Sequence, residues 1–336
     1  MRDEARADSL DEVFRPLEHA KEAMSQVMDQ TGQFVLSLDP ERRVLTATPL
    51  DVDQALAQVL WKRKYPQVLI SGTLAVQGSF RYPCSRLGIT RVASRDVQEF
   101  TAASPFDYAG RMRIYVPRSI PEPSWNEEED QAFVDALAEE IRHIILKITG
   151  GRTLVLFTSY RRLKAVRNLL LKQPLPCKLP RQEKGVAAAQ LLQSFREDET
   201  SVLLATGAFW QGVDVQGDSL TCVVIDKLPF PSPSEPVLYG LHQRVLNRTG
   251  GDQKAAMDEV DLPTMLLQLR QGTGRLIRHE EDWGIVAIMD RRVMRSRYLS
   301  AVQAALPPAP WVRSMEELTD WYAGQPARDV QQGHAI

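Results

Sequence analysis

Between Gln268 and Arg278 the chain reads QLRQGTGRLIR. Arg275 and Arg278 stand three residues apart, a spacing that puts both on one face of a helix. Gln271 lies a turn earlier, on an adjoining face. Gly272 and Gly274 fall in the same run, and inside a helix each costs about 1 kcal/mol against alanine. A sequence accepts that for close packing or for close approach of a ligand. Two fixed guanidiniums beside an amide suit the charge of a phosphoryl-transfer transition state. Surface arginines on an amphipathic helix are the plainer alternative.

Three other runs hold residues of the right types. ATGAFWQGVDV (205–215) follows an apolar strand. Gly207 and Gly212 allow close backbone approach, Trp210 offers a stacking face for a base, and Asp214 could accept from a ribose hydroxyl. A core aromatic pair with turn glycines is the other reading of Phe209 and Trp210. FTSYRRLK (157–164) places Thr158, Ser159 and Tyr160 at a strand end before a helix opening on Arg161. Hydroxyls and amides at a helix N-terminus with adjacent cations suit a phosphodiester; so does an ordinary N-cap followed by a solvated basic face. ISGTL (70–74) ends an apolar run with Ser71 and Thr73, small hydroxyls that could touch a phosphate or relay between two sites.

These runs need a scaffold that presents strand ends. The strands TLVLF, VLLAT and GIVAIM are continuously apolar, the pattern of a parallel sheet covered by helices on both faces. Strands are expected at Met112–Val116, Thr153–Ser159, Val202–Thr206, Thr221–Asp226 and Gly284–Met289. Helices are expected from a Ser124/Glu127 capping box to Gly150-Gly151, and over Arg161–Lys172, Ala187–Glu197, Pro236–Asn247, Pro263–His279 and Ser296–Leu306. Earlier come a polar helix over 8–30, strands at 34–36, 44–47 and 68–71, and a helix over Asp51–Trp61 with Leu56, Val59 and Leu60 inward. The Gly-, Ser- and Pro-rich stretch 75–110 reads as a boundary. The expected organisation is a helical segment 1–30, strands and linker over 31–105, a doubly wound α/β domain over 106–310, and a peripheral tail over 311–336.

Composition is that of a globular chain: 43% hydrophobic, 25% charged, net charge −2. Three scattered cysteines give no CxxC pair, which argues against a disulfide scaffold, a zinc ribbon and a Cys-ligated iron–sulfur cluster held by this chain alone. No apolar run reaches membrane length, and the charged start MRDEARADSLDEVF has no secretory h-region. A cytoplasmic setting without membrane association is expected.

Taken together, the runs resemble a known family. QGTGRLIR resembles motif VI of superfamily 2 helicases, ATGAFWQGVDVQGDSL motif V, LVLFTSYRRL motif IV, and ISGTL motif III with Gly72 in place of the usual alanine. VVIDKLPFPSPSEP is similar to the XPD/DinG branch. The four motifs stand in family order between about 31 and 306.

The resemblance implies a RecA-like second motor domain, mostly parallel, joined to a remnant of the first. It implies that Gly212, Asp214, Gln271, Gly274, Arg275 and Arg278 face ATP with Mg2+, bound mainly by a first motor domain, with Arg278 as leading arginine finger. Thr158, Ser159, Tyr160, Arg161, Thr206 and Trp210 would touch single-stranded DNA, and Ser71 and Thr73 would couple the two sites. DNA repair is the implied setting.

The sequence contains no G-x-x-x-x-G-K-[ST] phosphate-binding loop, no DEAH box and no four-cysteine iron–sulfur site. This chain is therefore expected to lack an iron–sulfur cluster, to hydrolyse no ATP alone, and to work with a chain carrying the first motor domain. A non-hydrolysing module that binds nucleic acid or a partner is the alternative.

Overall fold

The computed structural model describes residues 21, 23–25, 33–39, 42–62, 65–76, 78–92, 97–124, 130–182, 188–198, 200–210, 220–232 and 235–326. In chain order the longer elements are β1 (Phe34–Asp39), β2 (Val44–Pro49), β3 (Met112–Tyr115), α1 (Gln131–Ile144), β4 (Thr153–Phe157), α2 (Tyr160–Leu170), α3 (Ala188–Glu197), β5 (Val202–Thr206), β6 (Cys222–Ile225), α4 (Pro236–Thr249), α5 (Leu262–Thr273), β7 (Gly284–Ile288), α6 (Ser296–Ala305), β8 (Trp311–Val312) and α7 (Met315–Ala323). They pack into two compact units. One holds the described residues of Val76–Gly78, Phe100–Pro229 and Met265–Ile336, the other those of Met1–Ala75, Ser79–Glu99 and Phe230–Thr264. Segment 230–264, expected in the doubly wound domain, thus packs with the N-terminal residues instead.

In the larger unit, six strands form a sheet in the order β5-β4-β6-β7-β3-β8. Every neighbouring pair is parallel. All residues of β4, β6 and β7 are buried, as continuously apolar runs require. On one face α1 buries Phe133, Leu137, Ile141 and Ile144, and α2 buries Leu163, Val166 and Leu170. The helix that begins as α1 ends at Gly150, whose φ of 65° closes it as a left-handed cap. It starts at Gln131 rather than at Ser124; Glu127, the other half of the expected capping box, lies outside the described residues.

The stretch beyond 310 is not peripheral. β8 pairs with β3, and Val312 and Leu318 join the core. Tyr322 of α7 hydrogen-bonds the Thr221 hydroxyl at 3.0 Å and packs edge-on against Trp283.

In the smaller unit β1 and β2 form an antiparallel hairpin with Leu38 opposite Leu45. Gly240 of α4 meets Leu50 so closely that an added Cβ would lie 2.5 Å from Leu50 Cδ2. The helix over Asp51–Trp61 is one α-turn, Asp53–Leu56, followed by a π-turn, Ala57–Trp61. It buries Ala57 and Trp61, whereas Val59 is exposed. The indole of Trp61 is anchored by donating to the Leu87 carbonyl at 2.6 Å, so this aromatic decides the inward face.

Residues 68–71 form no strand, and Ile70 is 90% exposed. An apolar run becomes a strand only when a neighbour accepts its backbone hydrogen bonds, and among the described residues β1 and β2 pair with each other alone. Of the helix expected over 8–30, Lys21 and Ala23–Ser25 are described and helical. Among the described residues no helix is long and apolar enough to cross a membrane.

Candidate functional site

From β4 the chain passes to β5 on one side, while β6, on the other side of β4, leads on to β7. The carboxyl ends of β4 and β6 therefore flank a topological switch point, where open α/β sheets place their sites. Thr158 follows β4 there and Asp226 follows β6. The Asp226 carboxylate is fully buried and receives the Thr158 amide at 3.0 Å and its hydroxyl at 3.1 Å. Arg162, 7% exposed, donates to Asp226 at 2.9 Å and to Asp130 at 2.7 Å. Burial alone would lower the Arg162 pKa; the two carboxylates outweigh it and hold it above the ordinary arginine value. Burial likewise pushes the Asp226 carboxyl up, against the pull of Arg162. Beside them, burial and then the charge of Arg162 lower the pKa of Lys227.

Ser159 caps α2 by accepting from the Arg162 amide at 3.2 Å. Ser159, Tyr160 and Arg161 are exposed at that helix start. The basic run is thus divided: Arg161 and Lys164 face out, Arg162 faces in. Thr158 is half-buried, with its hydroxyl engaged by Asp226 and Arg162.

At the end of β5, Thr206 donates its amide and hydroxyl to Gln182 Oε1 at 3.0 and 3.1 Å. Gly207 takes φ 53°, a left-handed turn that opens a 3-10 turn, Gly207–Trp210. Trp210 is not a stacking platform. It is 1% exposed and donates its indole N–H to the Phe157 carbonyl at 3.0 Å. Phe209 is buried as well, so the aromatic pair is core. Gly272 exists for this packing: a Cβ there would lie 3.0 Å from Trp210 Cζ3 and 3.2 Å from Leu156 Cδ1.

The helix expected over Pro263–His279 stops at Thr273, whose hydroxyl turns back to the Arg270 carbonyl at 3.3 Å. Gly274 lies just past that end, its amide bonded to the Arg270 carbonyl. Arg275 and Arg278 therefore stand on the following loop, not on one helix face. Arg275 is 5% exposed, its Nε–H reaches the Gln271 carbonyl at 3.3 Å, and burial pushes its pKa down to about 10. Around Arg278 the loop is fixed by Asp282, which accepts the Arg278 and His279 amides at 2.8 and 2.9 Å. Burial lowers the Arg278 pKa; Asp282 opposes this and Arg196 of α3 adds to it.

Ser71 and Thr73 belong to the smaller unit, where their hydroxyls lie 3.3 Å apart in a local turn. Gly212 and Asp214 lie outside the described residues. Among the described residues no three His, Cys, Asp or Glu side chains cluster as metal ligands. Spacing rules missed Asp130, Arg162 and Asp226, and also Asp290, which follows β7, accepts the Leu228 amide at 3.0 Å and pairs with Arg292 at 2.6 Å. One signal was available: VVID and AIMD each place an aspartate at or just past the carboxyl end of an apolar strand.

A doubly wound parallel sheet with these turns at its strand ends defines a RecA-like α/β domain. The helicase C-terminal domain family matches residues 142–309. The ATP-dependent DNA helicase YoaA of Escherichia coli (strain K12) is 36% identical over 272 residues, covering 81% of this chain and 40% of YoaA. The 3'-5' exonuclease DinG of Bacillus subtilis (strain 168) is 34% identical over 277 residues, covering 82% of this chain and 28% of that protein. A solved XPD helicase superposes with a TM-score of 0.59 at 15% identity, over 84% of this chain and 48% of that one; an XPD apo structure gives 0.57 at 17%, over 84% and 55%. The chain belongs to the helicase C-terminal domain family, as the C-terminal region of an XPD/DinG-type superfamily 2 helicase. It spans well under half the length of these curated relatives.

Proposed function

We propose that this chain supplies the second motor domain of an ATP-dependent DNA helicase. The observation that carries the reading is the family match, together with the motif-bearing turns at the carboxyl ends of β4 and β5. Arg278 acts as the arginine finger on the γ-phosphate of ATP, with Arg275 beside it and Gln271 orienting. The chemistry of the set fits a polyphosphate: two guanidiniums and an amide. Gly212, Asp214 and Gly274 border the nucleotide. Mg2+ is held by the partner domain. Single-stranded DNA runs over Thr158, Ser159, Tyr160, Arg161 and Thr206; Trp210, being buried, takes no part in that path. Ser71 and Thr73 couple the sites. Closure of the two motor domains on ATP brings in the arginines, and reopening after hydrolysis moves the DNA grip. The setting is cytoplasmic DNA repair. The second reading is a module that binds nucleic acid or a partner without hydrolysis, through the exposed Ser159, Tyr160 and Arg161.

The deciding experiment measures DNA-stimulated phosphate release. The purified chain alone should show no turnover above background. Added to a polypeptide carrying the phosphate-binding loop and DEAH box, it should restore turnover, and Arg278→Ala should cut that on the order of 10³–10⁵-fold. Turnover by the chain alone that Arg278→Ala abolishes, or a loss of only a few-fold in the mixture, would overturn the assignment. DNA binding without restored turnover selects the second reading.

A further inference from the structure

Asp226 is fully buried, and none of the contacts assigned above to nucleotide or DNA uses it. Each of its oxygens receives two donors. Oδ1 takes the Thr158 amide at 3.0 Å and the Lys227 amide at 2.8 Å. Oδ2 takes the Thr158 hydroxyl at 3.1 Å and Arg162 at 2.9 Å. Four donors fill the acceptor sites of a carboxylate, so Asp226 has nothing left for a ligand.

Its contacts converge on the turn that joins β4 to α2. Thr158 is held at both backbone and side chain. Arg162, in the first turn of α2, is clamped from the other side by Asp130, which takes its Nε–H at 3.2 Å and an Nη–H at 2.7 Å. Asp130 in turn accepts the Ser124 amide at 3.0 Å. The guanidinium stacks over Phe133, 5.4 Å from the ring centroid. Ser159, Tyr160 and Arg161, the exposed residues, lie between the two clamped positions. Apolar residues of similar volume hold a core together at least as well as a buried ion pair does. What these charges add is direction: hydrogen bonds fix where the turn points.

We propose that Asp226, acting through Thr158 and Arg162, is a positioning residue for the nucleic-acid grip of Ser159, Tyr160 and Arg161. This rests on the assignment of that turn to single-stranded DNA. Asn at 226 keeps the size but replaces one acceptor oxygen with a donor, which faces Thr158 or Arg162 and lets the turn relax.

The test measures binding of fluorescein-labelled oligothymidylate by anisotropy, with the full 336-residue chain, over a salt series. Asp226→Asn should fold, as read by circular dichroism, and bind more weakly by roughly 10-fold, the order of one lost phosphate contact at the turn it positions. Its slope of log K against log salt should flatten by about 0.7 for each phosphate that the turn no longer neutralises. In an Arg161→Ala background Asp226→Asn should cost less than it does in the wild-type chain, because part of the grip it positions is already gone. A merely structural role would leave the slope unchanged or give additive losses, and either result overturns the proposal. If Asp226→Asn does not fold, Arg162→Lys, which keeps the charge but cannot span two carboxylates, is read by the same criteria. Loss of fold in both variants would mark the cluster as structural and overturn the proposal too. Failure of the wild-type chain to bind oligothymidylate is a different result: it removes the DNA assignment itself.

Discussion

Arg275, proposed above to stand beside the γ-phosphate, is a buried charge, and a buried charge is a local liability. At 5% exposure its guanidinium has left water, and burial brings its pKa down to about 10 from an ordinary 12.5. Between those two values the unfolded chain holds the proton and the folded chain sheds it, so stability from this residue rises with pH across that window. Below about pH 10 the desolvation penalty is fully present. Arg275→Gln should therefore raise the thermal midpoint near neutral pH, on the order of 2–4 °C, the shift that about 1 kcal/mol gives in a domain of this size. The gain should shrink as pH climbs past about 10. Thermal unfolding at two pH values checks this, and a midpoint that falls at neutral pH would show Arg275 to be a net stabilising contact.

At the scale of elements, α5 meets the turn that follows β5 where Gly272 faces Trp210. Alanine is the better helix former by about 1 kcal/mol, so propensity alone favours Gly272→Ala. Packing opposes it. The new Cβ would lie 3.0 and 3.1 Å from the Trp210 ring, and the ring is pinned by its bond to the Phe157 carbonyl. Overpacking of this kind costs about 1–3 kcal/mol, so the variant should unfold at a lower urea concentration; an unchanged or higher midpoint would mean that the ring yields. The same contact explains what the sequence could and could not reveal. Continuous apolarity identified β4, β5 and β7 to within a residue or two, because a strand buried on both faces needs no other code. The identical signal failed at 68–71, since apolarity says that a segment seeks burial and not that a neighbour is present. Helical spacing carried α5 on to His279, past the Thr273–Arg270 bond and the glycine that end it. The Arg162–Asp226 pair spans 64 residues, beyond any rule of spacing. Of the two readings that composition allowed for Trp210, burial chose the core.

At the scale of the whole molecule, the two units are built to very different standards. The larger has a six-stranded parallel sheet whose central strands are buried on both faces. The smaller rests on a two-stranded hairpin with Leu36, Leu38 and Leu45 exposed, one longer helix, α4, several short helical turns, and a small cluster of Val245, Ala256 and Val260. Its exposed ion pairs add little. Arg248–Glu259 has both partners more than half exposed, and such pairs contribute about 0–1 kcal/mol. Two-stranded hairpins alone are marginal in water. The smaller unit should therefore open first, in a separate step from global unfolding. Hydrogen exchange read by mass spectrometry should show amides of 34–49 and 236–260 exchanging well before those of β4, β6 and β7. Limited proteolysis should cut within 42–99 and 235–264 while fragments covering 130–182 and 265–326 persist. A single cooperative transition, with equal protection in both units, would show that the smaller unit draws its stability from something other than its own core.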